Sequence, residues 1–174
     1  RQFRQTFKLV TTYMGWILDL LAYFIPGFHR DKFNDDWWGE GFTEWDNVLK
    51  SKPIFKGHSQ PNIPLDGTFD LMSLDTLSNN FKRAKEFGID SFIFYDYWYE
   101  GKRPLGSVLD LILKNKKLDF SFSLCWANHS WTKSWKNRSG SLDVLIEQNY
   151  GDSTSINQQA DFYVKIFSDP RYYK

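Results

Sequence analysis

Apolar residues fall in short runs, and the spacing within the runs switches between strand-like and helix-like. Ile17 to Phe24 (ILDLLAYF) is near-continuous in apolar character and closes on Pro26 and Gly27, which predicts a first buried strand. Ser73 to Phe87 has Leu74, Leu77, Phe81 and Ala84 on one helical face. Ser73 suits the N-cap, Asp75 the first turn, and Gly88 the position just past the end. A second strand follows at once from Ile89. It carries Phe92, Ile93 and Phe94, and runs into Asp96-Tyr97-Trp98-Tyr99-Glu100 before Gly101. Leu105 to Leu113 repeats the helical stripe. In Phe120 to Trp126, Phe120, Phe122, Leu124 and Trp126 alternate with Ser121, Ser123 and Cys125, a third strand. Val144 to Ile146 is a short strand candidate leading to Glu147. Ser155 to Phe167 is a third helix, with a Ser155/Gln158 capping pattern and Ile156, Ala160, Val164 and Phe167 on one face; Asp169-Pro170 stops it.

Between the first strand and the first of these helices, Arg30 to Leu71 shows neither period. It holds Trp37, Trp38 and Trp45, and a short helix is expected only over Thr43 to Lys50. A loop of that length is usually functional. Asp35, Asp36 and Glu40 read as a solvated, turn-forming run. Lys133 to Leu142 reads as a polar loop. Residues 1–15 are a lead-in segment, and residues 16–174 one domain. Regular β/α alternation predicts parallel strands. The expected fold class is therefore α/β: part of a (β/α)8 TIM-type barrel, its first three to four β/α units, with a long loop after strand 1. The chain is expected to be the amino-terminal part of a longer domain, which continues past Lys174; a complete small α/β domain is the alternative.

Charge narrows the function. Twenty-two Lys and Arg against 21 Asp and Glu leave a net charge of +1, which gives no drive toward nucleic acid or an anionic surface. The most apolar run, Trp16 to Phe28, contains Asp19 and Pro26 and is too short to span a bilayer, so no membrane span is expected. A cytoplasmic location is the expectation. Cys125 is the one cysteine; it excludes an internal disulfide and reads as a buried, inert thiol. His29, His58 and His129 have no ligand spacing, so neither metal nor cofactor is expected. Composition departs from the ordinary in its aromatics, with 8 Trp, 9 Tyr and 16 Phe. That surplus fits stacking on flat ligands or an unusually aromatic core.

The segments AYFIPGFH (22–29), NDDWWGEGFTEWDNV (34–48), KPIFKGHSQPNIPLD (52–66), KEFGIDSFIFYDYWYEGKRPL (85–105), FSLCWANHSWTKSW (122–135) and VLIEQNY (144–150) resemble, in order and spacing, the WbsX-like glycosyltransferases of bacterial surface-polysaccharide loci. That family is similar in turn to TIM-barrel glycosidases of the endo-α-mannosidase kind. The resemblance implies a barrel, an oligosaccharide or polysaccharide substrate, and a role in building or trimming an O-antigen-like glycan of the lipopolysaccharide type. At one place the chain departs from the pattern: His129-Ser130-Trp131 stands where the family has Glu-Asn-Trp, so a strand-end carboxylate is missing. In the related glycosidases the key acids sit on later strands, so the resemblance implies that the main acids lie beyond Lys174.

Glycosidic chemistry uses two carboxyl groups flanking the scissile bond. Glu44, Asp96 and Glu100 are the catalytic candidates within the chain. A flat apolar ring beside a hydrogen-bonding group suits a sugar, so His29, Trp38, Trp45, Tyr97, Trp98, Trp126, Asn128, His129, Trp131 and Glu147 are the candidates for holding substrate, with Trp37 a further stacking candidate. Carboxylate chemistry of glycosyl transfer or hydrolysis is the leading reading. A non-catalytic glycan-binding domain, or an inactive truncated remnant, is the alternative.

Overall fold

A computed structural model describes residues 19–133 and 143–174. The lead-in segment, the start of the first predicted strand, and nearly all of the loop expected over 133–142 lie outside the described residues. The chain is mixed α/β. Strands β1 (Leu21–Phe24), β2 (Ser91–Asp96) and β3 (Ser121–Trp126) form a parallel sheet in the order β1-β2-β3. Five helices accompany them among the described residues: α1 (Lys32–Trp38), α2 (Glu44–Lys50), α3 (Leu74–Phe87), α4 (Ser107–Lys114) and α5 (Ser153–Phe167). The short strands β4 (Trp131–Thr132) and β5 (Val144–Ile146) form a separate antiparallel pair. The segment over 144–146 is thus a strand, as expected, but it lies outside the parallel ladder. That ladder is continued instead by Tyr172, which bridges Phe122 in parallel: Phe122 N–H donates to the Arg171 carbonyl at 3.1 Å, and Tyr173 N–H to the Phe122 carbonyl at 2.7 Å. Lys174 follows this bridge and is exposed.

Register sorts the sheet into two unlike faces. Phe92 aligns with Ala22 and Phe122, and Phe94 with Phe24 and Leu124. In a parallel ladder such residues share a side, and this side joins Leu77, Phe81, Val108, Ile112 and Ile166 in the core. Phe rings dominate it, with Phe92–Phe120 centroids at 4.7 Å and Phe81–Phe120 at 4.9 Å. Much of the Phe surplus therefore packs the core, although Phe55 and Phe87 are exposed. The opposite side carries Tyr23, Ile93, Tyr95, Ser121, Ser123 and Cys125. Among the described residues no helix covers Tyr23, which is 64% exposed and stacks on Tyr95 at 5.4 Å. Cys125 is half-buried on this side rather than buried in the core, because the alternation puts it opposite Leu124.

Helix α3 forms as predicted. The Ser73 side chain caps it, and Gly88, at φ 93°, closes it in the left-handed conformation that glycine adopts without strain. The segment expected to lack regular structure contains α1, a seven-residue helix capped by Asp31 and ended by Gly39. Asp35 and Asp36 lie within it rather than in a turn. Asp35 accepts from Arg30 at 2.8 Å and from Gly41 N–H at 2.7 Å, and Arg30 holds its carboxyl below the usual range. Helix α4 starts two residues later than its apolar stripe suggested, because the Leu105 N–H is bound to the Asp31 carboxylate, 74 residues away, at 3.1 Å with Leu105 at φ 60°. Helix α5 is capped by Asp152, not by Ser155. Its Ile156, Val164 and Phe167 are exposed at 50%, 61% and 43%, so the predicted stripe faces outward while Phe162, Tyr163 and Ile166 face the core.

Asp31 both caps α1 and ties the loop after β1 to the loop after β2. Asp31→Ala removes a cap and leaves a buried N–H without its charged acceptor. The expected loss is about 2 kcal/mol, read as a lower melting temperature.

Candidate functional site

Chain segments converge at the carboxyl edge of the sheet, where ligands are handled in parallel α/β proteins. The long connection after β1 returns to that strand's end twice. Leu71 N–H donates to the Phe28 carbonyl at 3.0 Å, and Glu44 N–H to the Gly27 carbonyl at 3.2 Å. The second contact brings the start of α2 onto the sheet edge. Thr43 and Asp46 form a reciprocal capping box there, which fixes Glu44 as the first helical residue. Burial pushes the Glu44 carboxyl up from its ordinary pKa, and a 3.3 Å hydrogen bond from Asn47 pulls the other way.

Tyr97 follows β2 at the same edge. Burial first, then the neighbouring Tyr95, Glu44 and Cys125, push its hydroxyl up to about 12, so it stays a neutral donor at physiological pH. The Trp131 ring lies 4.5 Å from Tyr97, and Trp37 lies 5.3 Å from Trp131. The next residue of α1, Trp38, has Lys133 Nζ 5.6 Å from its ring centroid and Phe42 at 5.8 Å. An acid of raised pKa, a phenol and a row of indoles thus gather at one end of the sheet. Such a surface offers C–H stacking and hydrogen bonds together, as a sugar ring requires.

The other sequence candidates take different places. Asp96 is 2% exposed and lies on the helix side of the sheet. Its Oδ1 pairs with Arg103 at 3.3 Å, and its Oδ2 accepts from Tyr163 at 3.0 Å. Burial still pushes its pKa up, outweighing the Arg103 charge. Trp45 is buried against Phe28 and Phe69 at 4.7 and 4.9 Å, with its indole N–H on the Phe69 carbonyl at 2.7 Å. Trp98 is buried 5.3 Å from Phe162. Trp126 meets Tyr150 edge-on at 6.1 Å. His29 is fully buried, and burial lowers its pKa while Asp31 opposes this. Glu100, Asn128, His129 and Glu147 are exposed, with Glu100 in a turn at φ 47°. The Asn128 and His129 carbonyls accept from Tyr150 and Tyr99 at 3.2 and 3.0 Å. Among the described residues, no cluster of His, Cys, Asp and Glu is placed to hold a metal ion, and no helix is long and apolar enough to cross a membrane.

Tyr95 was not singled out from the sequence. Its signal was available in the alternation of β2, which sets Tyr95 beside Cys125 on the side away from the helices.

Comparison with known proteins agrees with the sequence resemblance. The profile of the family described as glycosyltransferase WbsX matches residues 20–174. Two curated relatives, both called uncharacterized protein WxcX, come from Xanthomonas campestris pv. campestris strains B100 and ATCC 33913. Each is 42% identical over 130 residues, covering 74% of this chain. The chain's match spans only 18% of those relatives' length. No solved structure matches the chain.

Proposed function

This chain belongs to the WbsX glycosyltransferase family, and from that premise we propose that the edge around Glu44, Tyr97 and Trp131 is part of a glycan cleft in a longer (β/α)8-type enzyme. Family membership supports a carbohydrate-active role. The barrel reading draws support from the parallel ladder, the helices on one of its sides, the uncovered Tyr23 side and the Tyr172 bridge. In a barrel, the uncovered side faces the interior, and strand carboxyl ends carry the chemistry. The substrate is an oligosaccharide or polysaccharide of a bacterial surface, such as lipopolysaccharide, or its precursor. A cytoplasmic setting suits the free Cys125.

The observation that carries the reading is Glu44: a half-buried carboxyl with raised pKa that acts electrostatically on Tyr97, whose ring leads into the Trp131–Trp37 row. Glu44 acts as the general acid toward a glycosidic oxygen, in the direction of transfer or of hydrolysis. Tyr97 donates to a substrate hydroxyl, and Trp131, Trp37 and Trp38 stack on sugar rings. Glu100, Glu147, Asn128 and His129 reach substrate from the exposed loops. Asp96, Trp45, Trp98, Trp126 and His29 shape the cleft wall from behind. A second reading, glycan binding without catalysis, is favoured by Asp96. Both its oxygens are engaged, and His129 stands where the family has Glu, so two strand-end positions offer no free carboxyl for catalysis.

Binding of the full-length protein to an array of bacterial surface oligosaccharides tests the cleft. Trp131→Ala is expected to weaken binding about tenfold, the equivalent of one lost stacking contact. Unchanged affinity in this variant contradicts the cleft assignment.

A further inference from the structure

Glu44 lies against the end of β1 with no spare room. A Cβ placed on Gly27 would stand 2.6 Å from Glu44 Cγ, and 3.5 Å from both Cδ and Oε1. Real Cβ contacts essentially never fall below 3.0 Å, and Cγ is not the free end of the side chain. From the other side, Asn47 Nδ2 donates to Oε2 at 3.3 Å. No described residue donates to Oε1. In a carboxylic acid the carbonyl-type oxygen is the better acceptor, so the amide donor selects Oε2 for that role.

We infer that Gly27 and Asn47 form a seat that fixes the Glu44 side chain and assigns the proton of its acid form to Oε1. Gly27 is a positioning residue: its missing side chain lets the carboxyl rest against the strand end, away from bulk water. Asn47 is a second one, distinguishing the two oxygens. The inference rests on the reading of Glu44 as the acid of the cleft and deepens it. Few charges complicate the site. Tyr97, just after β2, acts electrostatically with Glu44 and stays neutral until about pH 12. Asp46, on the same helix, accepts from Thr43 N–H at 3.1 Å and pairs with Lys50 at 3.5 Å. The end of β1 contributes the Gly27 backbone.

The two residues act on the carboxyl in opposite senses, which gives a test that needs no substrate. In the full-length protein, pH-difference infrared spectra of wild type minus Glu44→Gln isolate the protonated-carboxyl stretch of Glu44. Gly27→Ala pushes the side chain toward water, and the titration midpoint is expected to fall toward the ordinary carboxylate value. Asn47→Leu removes the donor that favours the charged form, and the midpoint is expected to rise. Opposite shifts support the seat. Midpoints that stay put, or move the same way, overturn it. If Gly27→Ala does not fold, Asn47→Leu decides alone, since an unmoved or lowered midpoint there is enough to overturn it. Opposite shifts together with full turnover in Glu44→Gln would leave the seat standing and remove the catalytic role.

Discussion

Glu44→Gln in the full-length protein is expected to lower glycosyl turnover by about 10²–10⁴-fold, the range for losing a positioned general acid. Gln keeps the size of the side chain and the acceptor for Asn47 but cannot give up a proton in this role. The loss should fall on turnover more than on affinity, because the stacking rings remain. A general acid must be protonated, and burial raises the Glu44 pKa. Activity is therefore expected to fall as pH rises through that pKa, and this limb should vanish in the variant. Stability moves differently. A folded pKa above the unfolded value means that the folded state holds its proton more tightly. The charged form then costs stability, and the cost appears as pH rises from the unfolded pKa through the folded one. Gln removes it, so the variant should melt no lower than wild type at neutral pH. Lost turnover with an unchanged or raised melting temperature separates chemistry from unfolding.

The second large effect concerns the end of α5. Asp169 has a side chain 1% exposed and pairs with Arg171 at 3.0 Å and with Lys116 at 2.6 Å. Arg171 in turn donates to the Asn115, Leu118 and Ile112 carbonyls at 3.1, 3.1 and 2.9 Å. This knot fastens α5 to the end of α4 and sets the segment that bridges β3. Asp169→Ala leaves Arg171 without its carboxylate in a largely buried place. The expected loss is about 3 kcal/mol, the low end for a broken buried pair because Lys116 is open to solvent. The Arg171 side chain first, with Lys116, holds the Asp169 carboxyl well below the usual range. A depressed folded pKa contributes stability that is full above the unfolded value, about 4, and is lost as pH falls through the folded one. Wild type should lose stability steeply on acidification below that point, and Asp169→Ala less steeply. Melts between neutral and acid pH compare the two slopes.

What the sequence disclosed and what it hid divide along a physical line. Helix α3 was legible because its signals are local: Ser73, the Leu74-Leu77-Phe81-Ala84 face and Gly88 all act within a few residues. β2 and β3 were legible from their apolar pattern. The start of α4 was not, because it depends on Asp31, 74 residues away. Helix α1 was missed because its Asp35 and Asp36 read as part of a solvated turn, while the Asp31 cap that starts it carried no mark in the sequence. In α5, two apolar stripes compete; Phe162, Tyr163 and Ile166 win the core through contacts made elsewhere in the chain. The site shows the same division. Residue chemistry drew attention to Glu44, Tyr97 and Trp131, and the folded chain brings them to one edge. The engagement of Asp96 could not be read, since Tyr163 lies 67 residues away and Arg103 carried no mark as its partner.

The central claim is that this edge holds a glycan with Glu44 at the reacting bond. A crystal structure of the full-length protein, soaked with the oligosaccharide it binds most tightly on an array, tests it most directly. The account predicts a sugar ring stacked on Trp131 or Tyr97, and a glycosidic oxygen within about 2.6–3.2 Å of Glu44. A sugar seated on the helix side of the sheet, or a Glu44 sealed from the ligand by other parts of the protein, would contradict it.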